Sequence, residues 1–140
     1  MSNEKDLTVK ETFDLAVQKH QNNNLQDAQN YYRKVLELDP NYANAHNNLG
    51  AIFFELRENQ KARDCFEKAI KINPNHANAH NNLGNIFKKL GEIKKTKECY
   101  EKAISIDPNY ADALNNLGII SQGLGEIEKA KDCYEKVIEI

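Results

Sequence analysis

Three cysteines, Cys65, Cys99 and Cys133, lie 34 residues apart. A thiol can attack, ligate or cross-link, but a fixed interval of this length puts one thiol in each of three equivalent places. Successive sulfurs are then about one repeat apart, too far for a disulfide. No Cys-x-x-Cys pair offers a metal two close ligands, so the spacing predicts protonated thiols packed in or near the core. His76 and His80 stand four apart, a spacing that suits a metal on one helix face. No acidic or cysteine ligand accompanies them, and packing or solvation is the expectation for them and for His46. Nothing resembles a nucleophile motif, a phosphate loop or a set-apart carboxylate pair. The sequence predicts no catalytic residue, no metal and no cofactor.

Asparagine is the residue type that stands out. There are 19, and Asn44, Asn47, Asn48, Asn78, Asn81, Asn82, Asn85, Asn115 and Asn116 fall on segments with helical periodicity. Asparagine is a mediocre helix former, so nine in such segments call for a reason. A carboxamide donates and accepts, and can therefore hold a peptide backbone without reading its side chains.

The elements that must position these residues follow from a repeat. Pro40, Pro74 and Pro108 are 34 apart, as are Leu49, Leu83 and Leu117, and Gly50, Gly84 and Gly118. Ala43–Gly50 recurs letter for letter as Ala77–Gly84, and the two full repeats agree at about 21 of 34 positions. The units are 9–42, 43–76, 77–110 and an incomplete 111–140, with 1–8 read as a flexible tail. Each unit reads as two helices. Ala45, Leu49, Ile52, Phe53 and Leu56 make one apolar stripe, and Ala62, Cys65, Phe66, Ala69, Ile70 and Ile72 make the next. Gly91 and Gly125 suit the left-handed residue that closes a helix, a place held by Asn23 and Arg57 in the earlier units. The second helices stop before Asp39-Pro, Asn73-Pro and Asp107-Pro. Thr8-Val-Lys-Glu11 is a capping box that starts the first helix near Val9. Small residues (Ala16, Gly50, Gly84, Gly118; Ala28, Ala62, Thr96, Ala130) mark the close contacts, and Tyr32, Phe66, Tyr100 and Tyr134 fill the gaps beside them. The Glu-Lys pairs of the second helices, such as Glu67-Lys68, Glu101-Lys102 and Glu135-Lys136, read as a solvated face.

With 140 residues, a formal net charge of −2 and no long apolar run, the chain is globular, carries no general attraction for nucleic acid and predicts no membrane insertion. The polar N-terminus points to a cytoplasmic protein.

The 34-residue helix–turn–helix unit resembles the tetratricopeptide repeat (TPR). His46, Leu49, Gly50, Phe53, Ala62, Phe66, Ala69 and Pro74 fall on that family's hallmark positions, as do His80, Leu83, Gly84, Phe87, Thr96, Tyr100, Ala103 and Pro108. The usual tryptophan is absent. The resemblance implies an all-α, right-handed superhelical solenoid of about eight helices. It also implies a non-catalytic protein–protein interaction module, a scaffold or adaptor that takes an extended peptide on the concave face of its first helices. The concave residues would be Asn44, Asn47, Asn48, Asn78, Asn81, Asn82, Asn85, Lys88, Asp112, Asn115 and Asn116. Asn48, Asn82 and Asn116 would form a ladder similar to that in the superhelical arm of O-linked N-acetylglucosamine transferases, which holds extended peptides. The chaperone-adaptor members grip a C-terminal carboxylate with basic residues. Their positions correspond here to Phe13, Val17, Asn48, Asn78 and Asn82, which carry no cation, so chaperone tails are not the expected ligand. Two further roles fit the same residues: a substrate-recruiting arm of a larger enzyme, and self-association. For the latter, Ile127, Tyr134, Val137 and Ile138 on the last helix would be partly uncovered and could join two copies.

Overall fold

A computed structural model describes residues 6–140; part of the expected tail, residues 1–5, lies outside the described residues. Among the described residues there are eight α-helices and no strand. They group into two compact units, one ending at Ile72 and one beginning at Asn73.

The first unit holds α1 (Val9–Gln21), α2 (Leu25–Leu38), α3 (Ala43–Glu55) and α4 (Asn59–Ile72). Thr8 caps α1 through both bonds of the capping box: its Oγ1 accepts from the Glu11 N–H at 3.0 Å, and its own N–H donates to Glu11 Oε1 at 3.2 Å. The helices pair as hairpins, α1 with α2 and α3 with α4, and α2 packs on α3. Ala16, Ala28, Tyr32, Ile52, Ala62 and Phe66 are buried between them. Leu56 and Ile72 are exposed, unlike the rest of their expected stripes. Leu56 is the C-cap of α3 and Ile72 the last residue of α4, where the helix surface turns away from its neighbour.

The second unit holds α5 (Ala77–Lys89), α6 (Ile93–Ile106), α7 (Ala111–Gly123) and α8 (Ile127–Glu139). Hairpins α5–α6 and α7–α8 are joined by packing of α6 on α7. Tyr100, Leu117, Ile120 and Cys133 form the cluster between them, with Ile104 against it. The helices of each hairpin approach closely at glycine. A Cβ on Gly84 would stand 2.6 Å from Tyr100 Cε1, and one on Gly118 2.7 Å from Tyr134 Cε1.

All four hairpin turns place one residue in the left-handed region: Asn23 (φ 60°), Arg57 (63°), Gly91 (75°) and Gly125 (80°). The loops between hairpins use a second device besides proline. Asp39 Oδ1, Asn73 Oδ1 and Asp107 Oδ1 each accept the backbone N–H two residues on, from Asn41, Asn75 and Asn109, at 3.1 Å. These Asx turns close the loop locally, which explains why an acid or amide precedes each proline.

Candidate functional site

The first helices α3, α5 and α7 carry the asparagines, and packing divides them by position. Asn44, Asn78, Asp112, Asn115 and Lys88 are exposed, and Asn48, Asn82, Asn85 and Asn116 are half-buried. Asn47 and Asn81 are buried, 3% and 4% exposed. For Asn81 the reason is visible: α7 lies over it. Asn116 Nδ2 donates to Asn81 Oδ1 at 3.1 Å, and the Asn81 side chain opposes the rise in the Tyr110 phenol's pKa caused by burial. Asn47 Nδ2 donates to its neighbour Asn48 Oδ1 at 3.3 Å. The expectation that Asn47 and Asn81 face a ligand is corrected by this burial: their carboxamides serve packing inside the helix array. Asn115, at the same repeat position on α7, is exposed.

The ladder residues have side-chain partners within the chain. Asn82 Nδ2 donates to Asn78 Oδ1 at 3.1 Å, and Asn116 to Asn81 as above. The Asn48 side chain opposes the rise in the Tyr32 phenol's pKa caused by burial. Asn85 accepts a 2.6 Å bond from the buried Tyr100 hydroxyl, so it too has a structural partner. Burial pushes the Tyr100 phenol up to about 12. On α7 the exposed Ile119 lies between Asn115 and Asn116 on one side and Gln122 on the other in helical register.

The other candidate groups are structural in their geometry. His46 Nε2 lies 2.9 Å from the Pro40 carbonyl and His80 Nε2 2.9 Å from the Pro74 carbonyl, so each ties its helix to the loop before it. His76 caps α5: its Nδ1 accepts the Ala79 N–H at 3.1 Å. Burial, aided by His80, lowers its pKa below the usual imidazole value. The three cysteines are free thiols. Burial pushes Cys65 and Cys99 up to about 11 and raises Cys133, so all three are protonated near neutral pH. Among the described residues no three His, Cys, Asp or Glu side chains gather as a metal site.

Sequence profiles described as tetratricopeptide repeat match residues 43–76, 77–110 and 99–132, and one described as TPR repeat matches 18–57. A crystal structure of MamA is 31% identical, covering 94% of this chain and 77% of that one with a TM-score of 0.79. The chain belongs to the tetratricopeptide repeat family. Two more distant TPR structures share the fold. Pseudomonas aeruginosa pilF is 21% identical, with 94% of this chain and 60% of that one covered and a TM-score of 0.84. The first TPR of Spaghetti (RPAP3), bound to the HSP90 peptide SRMEEVD, is 22% identical, with 84% and 93% covered and a TM-score of 0.77. No curated protein sequence matched.

Within the TPR frame, the small residue of each first helix receives the aromatic ring of the second, as Gly84 receives Tyr100. What the sequence reading missed was the polar end of that ring. Tyr100 has an acceptor in Asn85, and the equivalent Phe66 needs none, since its repeat carries Ala51 in place of Asn85. Tyr134 bonds Gln122 Oε1 at 3.1 Å instead. The signal was in the sequence: tyrosine with asparagine in one repeat, phenylalanine with alanine in another. Among the described residues no helix is long and apolar enough to cross a membrane.

Proposed function

We propose that the chain is a non-catalytic interaction module that binds an extended segment of a partner protein on its asparagine-bearing first helices. In the second unit the binding face is that of α5 and α7. The observation that carries this reading is that Asn82 and Asn116 are each anchored by another asparagine yet stay half-exposed. A carboxamide already held by a neighbouring side chain is preorganised, so less rotamer freedom is lost when a peptide backbone bonds to it. Asn115 presents a whole carboxamide beside them, and Ile119 offers an apolar contact at 50% exposure. Lys88, exposed on α5, favours an acidic side chain in the ligand. The Spaghetti TPR, which has the same fold, is bound to an HSP90 peptide, and this supports a peptide as the ligand. Asn48 and Asn44 would play the corresponding part on α3 of the first unit.

The test is selection of displayed random peptides on the intact chain, followed by affinity measurement with Asn82→Ala/Asn116→Ala. Two lost backbone hydrogen bonds at ~0.5–1.5 kcal/mol each predict a loss of about tenfold or more. Both forms must give the same helical circular dichroism. Unchanged affinity places binding elsewhere. For any selected ligand, a C-terminal acid and a C-terminal amide should bind alike, because Phe13, Val17, Asn48, Asn78 and Asn82 offer no cation.

A further inference from the structure

One side of α8 is apolar, exposed and built like an interface. Ile138 is 84% and Ile127 59% exposed. With Gln122, Ala130 and Tyr134 they line a groove of about 340 Å³ between α7 and α8. Val137 does not line it; it is half-buried at the repeat position of the fully buried Ala103. In the preceding repeat the equivalent surface is occupied. There α7 covers α6, and Tyr100, the counterpart of Tyr134, is fully buried.

The charges that accompany that occupied surface are also repeated. Lys97 Nζ reaches Glu126 Oε1 at 2.8 Å, and Glu101 Oε1 accepts from Lys129 Nζ at 2.9 Å. Thus a lysine and a glutamate four apart on α6 pair with a glutamate and a lysine on the next hairpin. Their counterparts on α8 are Lys131 and Glu135, which meet only each other, at 4.0 Å, and are 64% and 56% exposed. A partner complementary to this surface would present an apolar helix with a glutamate and a lysine in the reverse sense.

The chain's first hairpin does not match. Where later repeats carry Glu126 and Lys129, it has Asn24 and Asp27, and Asp27 would face Glu135. Where α7 buries Ala113 and Ile120, α1 has exposed Glu11 and Gln18. Head-to-tail stacking therefore sets polar and like-charged groups against the groove. The α8 of a second copy does match. Run antiparallel about a two-fold axis near Cys133, it sets Lys131 against Glu135 of the second copy, the reciprocal pair likewise, and Ile127 alongside Ile138 of the second copy. A two-fold interface needs this kind of self-complementary patch.

We propose that two copies of this chain associate through antiparallel α8 helices, closing the α7–α8 groove of each. The test is sedimentation of the 1–140 chain over a wide concentration range, with circular dichroism as the folding control. Wild type should sediment as two 16.0 kDa chains. Ile138→Glu should weaken association about tenfold or more, since an apolar contact is replaced by a charge. Lys131→Glu and Glu135→Lys should each weaken it, and the two combined should restore it. A wild type that stays monomeric at the highest concentration overturns the proposal and leaves the groove to another partner. Growth beyond two chains, promoted by Asp27→Lys, would mean head-to-tail stacking and overturns it as well. A combined charge swap no better than the single changes would overturn the antiparallel register.

Discussion

Tyr100 donates its hydroxyl to Asn85 Oδ1 at 2.6 Å, joining a fully buried ring on α6 to a half-buried carboxamide on α5. The bond lets a polar group end inside the hairpin without an unmet donor. In the 43–76 repeat the same two places hold Phe66 and Ala51, an apolar solution to the same packing problem.

A double-mutant cycle therefore has a definite outcome. Tyr100→Phe should cost ~0.5–1.5 kcal/mol, the usual net worth of a hydrogen bond. Asn85→Ala should cost more, because it strands the hydroxyl of a buried tyrosine. The double variant, which copies the 43–76 repeat, should be more stable than the sum of the two changes allows. Chemical denaturation of the four proteins gives the coupling, and strict additivity would mean that the bond contributes nothing.

Gly84 of α5 and Gly123 of α7 should respond oppositely to alanine. At Gly84 a Cβ would meet the Tyr100 ring, which is buried and held at its hydroxyl and cannot swing away. Gly84→Ala should lose ~1–3 kcal/mol by overpacking. At Gly123, the last residue of α7, nothing lies within 4 Å of the added carbon. Gly123→Ala should gain up to ~1 kcal/mol from helix propensity. Thermal melts of both variants read the two signs directly.

Arg57 holds the left-handed place that glycine holds at 91 and 125. A side chain there is strained by ~1–2 kcal/mol, partly offset by the larger unfolded entropy of glycine. Arg57→Gly should raise stability by about 0.5–1 kcal/mol, whereas Gly91→Arg should lower it. Equal melting temperatures in all three proteins would contradict this account of the turns.

His76 makes the start of α5 sensitive to acid. Its Nδ1 must be unprotonated to accept the Ala79 N–H, and burial holds its pKa below the usual value. The unfolded chain therefore takes up this proton first. The cap's contribution is fully present above the unfolded value near 6.5 and is lost as pH falls through the lowered folded value. A cation at the helix N-terminus adds an unfavourable dipole interaction. His76→Asn keeps a capping oxygen that does not titrate. Between about pH 7 and pH 5 it should lose less stability than wild type, by ~1 kcal/mol. Parallel losses in the two proteins would show that the cap is not the acid-sensitive element.

The 34-residue period carried most of the fold. Pro40, Pro74 and Pro108 mark the loops, the Thr8 box starts α1 where it was read, and the left-handed residues fall at Asn23, Arg57, Gly91 and Gly125. These features are local: a cap, a turn or an apolar stripe depends on residues within a few places of one another, so sequence alone determines them. The fate of the asparagines was not local. Asn81 and Asn115 stand at the same place in their repeats, yet one is buried under α7 and the other is exposed. Only packing between hairpins makes that difference, because burial depends on which helix arrives from elsewhere in the chain. The same holds for Lys97 and Lys131, identical in type and register, of which only the first finds Glu126. The sequence by itself determined the helices, their turns and the family. The tertiary structure decided which of its repeated side chains face a neighbour and which stay exposed.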